Sequence, residues 1–159
     1  MWWQYGLGYF FSVVIGHFLI YPLVDSLWNN LGWQRRPEGD LVRPVPEHHA
    51  MVGMLERGLY TSALLMGKME FIGLWFFIKV AGNWKGFSED REFDGVKIHG
   101  RSIFNIALIA NGFSIAYGVL GGMIVNWLNA EQYDLAFGAS AILAVVTSGF
   151  WLWSRQRRG

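Results

Sequence analysis

The chain has 159 residues, of which 53% are hydrophobic, 17% aromatic and 16% charged, with a net charge of +1 and no cysteine. That composition excludes disorder and is too apolar for an ordinary soluble domain, and the missing cysteines exclude disulfides, thiolate metal centres and thiol redox chemistry. Lysines and arginines are scattered among acids instead of forming a basic stripe, so a nucleic-acid interface is excluded as well.

Four windows, 6–28, 60–79, 103–125 and 135–153, are each long enough to cross a hydrocarbon core of roughly 30 Å, which takes about 20 helical residues. They predict an all-α polytopic membrane protein: four transmembrane helices in an antiparallel bundle, with residues 1–159 as one integral membrane domain. Helices satisfy their own backbone in lipid, which is why no other element fits these lengths.

The first window reads as a retained span, since Met1-Trp2-Trp3-Gln4-Tyr5 has no basic character and no small-x-small cleavage site follows. On it His17, Tyr21 and Asp25 recur at four-residue steps, one polar stripe, and Pro22 leaves the Phe18 carbonyl without its helical donor. The following segment, 33–49, contains Pro37, Pro44 and Pro46 and is expected to run extended. Glu47, His48 and His49 beside Asp25 and Glu56 are metal-ligand types, but adjacent histidines do not share a helix face and the spacing matches no zinc pattern. A haem held by two histidines is disfavoured, because only His17 lies deep in a span. The sequence names no cofactor.

The second window carries an anomaly, Met66-Gly67-Lys68-Met69-Glu70-Phe71, a lysine and a glutamate near its middle. On one continuous helix the two would diverge by about 200°, so each would need a partner on another helix or subunit. Insertion of one central charge costs about 2.5 to 3.5 kcal/mol, which makes unpaired placement untenable. His17 and Asn111 are the expected neighbours at that depth, Lys79 is expected to snorkel to the surface, and Glu56-Arg57 to sit as a charge couple at headgroup level. Together His17, Tyr21, Asp25, Glu56, Arg57, Lys68, Glu70 and Asn111 make up an expected intramembrane polar seam.

Between the second and third windows, Glu92 to Ile98 contains Asp94-Gly95 flanked by alternating residues, a hairpin signal. In the third window Ala110, Ser114, Gly118 and Gly122 fall every four residues, and in the fourth Ala136, Ser140, Ala144 and Ser148 do the same. The two stripes are expected to pack on each other, small residue against small residue. Placing both termini in the cytoplasm puts eight lysines and arginines inside against four outside. Trp2, Trp3, Trp84, Trp151 and Trp153 would then mark the inner interface and Trp28, Trp33 and Trp127 the outer one.

No G-x-S-x-G, H-E-x-x-H, phosphate loop or dinucleotide fingerprint occurs, so the reading leans away from an enzyme. The expected function is a small accessory or assembly subunit of the cell membrane, associating with other membrane subunits or copies of itself in the lipid bilayer. The alternative is a proton- or ion-coupled transporter in which Glu70 titrates.

Overall fold

The computed structural model describes residues 2–30, 46–93 and 96–156. In chain order these form α1 (Trp2–Tyr9), a π-helical turn (Phe10–Ile15), α2 (Gly16–Asn30), α3 (Pro46–Leu65), α4 (Glu70–Gly82), α5 (Trp84–Ser88), β1 (Arg91–Phe93), β2 (Val96–Ile98), α6 (Gly100–Asn129) and α7 (Tyr133–Gln156). The first three run on as one rod, Trp2–Asn30, and this rod, α6 and α7 are each long and apolar enough to cross a bilayer. The chain is a helical membrane protein with three such spans among the described residues.

The fourth expected span is not one helix. Tyr60 to Lys79 breaks after Leu65, and α4 starts only at Glu70. Gly67, at φ +68, occupies the left-handed position that ends a helix, and the two bonds of a Schellman closure are present: Lys68 N–H to the Ala63 carbonyl at 2.8 Å and Gly67 N–H to the Leu64 carbonyl at 3.0 Å. Glu70 then opens the next helix, where an acid suits the positive end of the dipole. The chain reverses here, so Ala63 packs with Ile72, and Glu56 reaches Trp75 and Lys79. What reads as one long apolar run is a helical hairpin.

α6 is the central rod. Arg57 meets Ser114, Tyr60 lies over Gly118 and Leu64 over Gly122, so α3 runs parallel to α6. Lys79 meets Asn111 and Phe87 meets Phe104, so α4 and α5 run antiparallel to it. Gln4 reaches Leu128 and Gly8 abuts Gly121, while Tyr117 meets Thr147 and Phe113 meets Phe150; the first rod and α7 are therefore antiparallel to α6 and parallel to each other. This mixture replaces the expected alternation, because the hairpin inserts an extra traverse. Trp2 and Gln156 lie at opposite ends of the bundle, the first beside the α3–α4 tip and the second beside Asn30 and the loop from α5 to α6.

The small-residue stripe of α6 faces α3 instead of α7. A Cβ on Gly118 would stand 2.5 Å from Tyr60 Cβ, and one on Gly122 would stand 2.5 Å from Leu64 Cδ2. Gly121, one residue round, admits the first rod: its Cβ would lie 2.6 Å from Ser12 Cβ and 2.7 Å from the Gly8 carbonyl oxygen. α7 docks through Ala136 against Leu120, Ile124 and Leu128, with Ser140, Ala144 and Ser148 half-buried along the same helix. Two faces of α6 thus use absent side chains for close approach, and the third uses large ones.

The expected hairpin is present: β1 and β2 pair antiparallel with Arg91 opposite Ile98 and Phe93 opposite Val96. It returns the chain so that Asp90 Oδ1 accepts the Gly100 N–H at 3.1 Å, capping α6, while Oδ2 lies 3.0 Å from His99 Nδ1. The turn residues Asp94 and Gly95, the proline-bearing segment as far as residue 45, and the side chains of Glu47, His48 and His49 lie outside the described residues.

Candidate functional site

The charged group at the heart of the bundle is built by the α3–α4 hairpin. Trp75 and Lys79, one helical turn apart on α4, share the face turned to α3. Lys79 Nζ lies 2.8 Å from Glu56 Oε1 and 2.9 Å from Oε2, and donates to Asn111 Oδ1 at 2.6 Å. Trp75 Nε1 donates to Glu56 Oε1 at 3.0 Å, and Asn111 Nδ2 donates to its own Ala107 carbonyl at 2.7 Å. An ammonium has three protons, and here three acceptor oxygens surround it. The Glu56 side chain is 4% exposed and that of Lys79 28%, so the pair is sealed on the carboxylate side and open on the other.

Arg57 points the other way, between α6 and the first rod. Its guanidinium donates through Nη1 to Ser114 Oγ at 3.4 Å and through Nη2 to the Val13 carbonyl at 3.3 Å, while Nε is buried without a partner. Two local features make room for it. Gly16 carries no Cβ, which would otherwise sit 3.0 Å from Arg57 Cδ, and the π-helical turn Phe10–Ile15 loosens the rod where the Val13 carbonyl turns to the guanidinium. Ser114 is the fifteenth of the thirty residues of α6, which puts Arg57 at mid-bundle and overturns its expected place at headgroup level.

Hydroxyls continue the seam toward the Trp2 end. Thr61 Oγ1 lies 2.9 Å from Ser12 Oγ and from the carbonyls of Arg57 and Gly118, and Tyr9 Oη pairs with Ser62 Oγ at 2.6 Å. Toward the Gln156 end, a cavity of about 30 Å³ between α4, α5 and α6 reaches Lys79 and Asn111, with Asn83 at its lining. That volume holds a water or two.

Of the expected seam, Glu56, Arg57 and Asn111 are brought together at mid-bundle. His17 lies on the first rod near them, its ring 5.6 Å from those of Phe18 and Tyr21. Tyr21 and Asp25 belong elsewhere, to a groove between α2 and α7. Lys68 and Glu70 are exposed at the hairpin tip, which corrects their placement at the midplane and removes the need for partner helices that rested on it. Lys79 and Trp75, absent from the expected seam, are its centre. Their signal was legible as an i, i+4 pair on one helix face, but only once the break at Gly67 is granted.

The tryptophans regroup accordingly. Trp2, Trp3 and Trp127 collect at one end and Trp28, Trp84, Trp151 and Trp153 at the other. Among the described residues no three histidine or acidic side chains converge as a metal site. The chain matches no protein-family model, no curated protein and no solved structure, so the geometry alone carries the functional reading.

Proposed function

We propose that the chain is a small accessory or assembly subunit of a membrane complex, or a homo-oligomer, in which Glu56, Lys79 and Asn111 act as a fixed joint holding α3, α4 and α6. The observation that carries this is the saturation of the joint: every Lys79 proton has an acceptor, and both Glu56 oxygens are engaged within one chain. A rigid core with an open flank suits a protein held in shape for others. On α7, Gly138 and Gly149 have no atom within 4 Å of where a Cβ would stand, leaving a flank that another helix can approach closely.

The end of the bundle near Asn30, the β-hairpin and Gln156 is assigned to the cytoplasm. The segments attached there carry Arg35, Arg36, Arg43, Lys85, Arg91, Lys97, Arg101, Arg155, Arg157 and Arg158, against Lys68 alone at the other end. Ten against one supports this orientation more strongly than eight against four supported the earlier one. The N-terminal end then faces the opposite compartment.

A second reading, proton- or ion-coupled transport with Glu56 in place of Glu70 as the titrating group, is favoured by the cavity that reaches Lys79 from the basic end. Purification from native membranes in mild detergent distinguishes the two. The subunit reading expects co-purifying polypeptides or a defined oligomer, and no proton flux from the isolated chain in liposomes. Flux by the isolated chain that Glu56→Gln abolishes would overturn it.

A further inference from the structure

Away from the central seam, α2 and α7 leave a groove of about 270 Å³ lined by Tyr21, Pro22, Asp25, Ser26, Trp151 and Arg155. It lies toward the basic end, where Ser26 and Ser154 join the two helices through a 2.8 Å hydroxyl contact. Its walls carry opposite charges that do not meet. Asp25 accepts from Asn29 Nδ2 at 2.9 Å, whereas Arg155 stacks over Trp151 with its guanidinium carbon 5.6 Å from the ring centroid, and no direct bridge of 4.0 Å or less joins Asp25 to Arg155. Proximity of an acid and a base normally ends in a surface bridge. Here the groove keeps them apart, at the depth where a bilayer changes from chain to headgroup.

The surroundings are those of a lipid. Phe18, Leu152 and Trp153 are 68%, 52% and 49% exposed beside the groove, apolar surface that acyl chains cover, and Tyr21 at 44% places a phenol near its mouth. A phosphate diester suits an arginine and an indole or phenol donor. A carboxylate on the facing wall repels a headgroup with surplus negative charge but pairs with an ammonium.

We propose that this groove binds a zwitterionic aminophospholipid, its phosphate on Arg155 and its ammonium on Asp25, in preference to an anionic phospholipid. The site rests on the membrane placement of the chain and not on its orientation or on the subunit reading, since binding can be read in detergent.

The test is native mass spectrometry of the delipidated protein titrated with short-chain phosphatidylethanolamine, phosphatidylglycerol and soluble phosphoethanolamine. Phosphatidylethanolamine should bind more tightly than phosphatidylglycerol, and soluble phosphoethanolamine should bind far more weakly for want of chains. Arg155→Gln should weaken both lipids by about tenfold, the loss of one charge-assisted contact. Asp25→Asn should weaken phosphatidylethanolamine and strengthen phosphatidylglycerol, reversing the order, while the thermal unfolding midpoints of both variants stay near that of the parent. Equal affinity for the two lipids, a stronger phosphatidylglycerol adduct in the parent, or an order that Asp25→Asn leaves unchanged would overturn the proposal.

Discussion

Lys79 is the residue on which the interior turns. Its ammonium joins three helices, and its loss strands the Glu56 carboxylate, 4% exposed, among Trp75 and apolar neighbours. Removing one member of a buried pair costs about 3 kcal/mol, because the other charge remains desolvated. Lys79→Met should therefore lower the unfolding free energy by that order, measured in detergent, whereas Lys68→Met at the exposed tip should change it by less than about 0.5 kcal/mol. The double variant Glu56→Gln, Lys79→Met should be more stable than Lys79→Met alone, and the double-mutant cycle should give a coupling of about 1 kcal/mol or more. Residue types were legible beforehand: Glu56, Arg57 and Asn111 stand out in a chain with 16% charged residues. Their depth was not, because it depends on which residue lies opposite on another helix, and composition carries no register.

At the scale of the element, the lesson lies in Met66-Gly67-Lys68-Met69-Glu70. Apolar length argued for one continuous span, yet a glycine followed three residues later by an acid is the punctuation of one helix ending and another starting. The hydrophobic period could not reveal this, since a tight reversal keeps both limbs apolar. Gly67→Ala forces a side chain into a left-handed turn and should cost about 1 kcal/mol, while Gly73→Ala, with no atom within 4 Å of its Cβ, should be neutral or stabilising. The small-residue stripe on α6 was legible as a packing device, but not its partner. Gly118→Ala would press a methyl to 2.5 Å from Tyr60 Cβ and 3.2 Å from the Arg57 carbonyl, on backbone that cannot yield, and should destabilise by about 1–3 kcal/mol. Gly138→Ala on the open flank of α7 should not, unless that flank is covered in an oligomer. A thermal scan of the two variants side by side in detergent separates these cases. Glu131, at φ 59, closes α6 with the same motif as Gly67: its N–H reaches the Leu128 carbonyl at 3.3 Å and that of Gln132 reaches Trp127 at 2.8 Å. Neither closure shows in a periodicity plot.

For the whole molecule, the hairpin decides the topology. The long rods Trp2–Asn30, α6 and α7 were visible as apolar windows, and their existence followed from length alone. The extra reversal changes the parity of the chain, sends Trp2 and Gln156 to opposite ends, and gathers the basic segments at one of them. That arrangement is tested most directly by single cysteines, which the cysteine-free chain permits without further change. Lys68→Cys and Arg155→Cys, probed with a membrane-impermeant maleimide in intact cells, should behave oppositely: Lys68→Cys labels at once, Arg155→Cys only after permeabilisation. Labelling of both from the same side, or a Lys68→Cys that stays inert even in permeabilised cells as a midplane residue would, contradicts the hairpin and the orientation together.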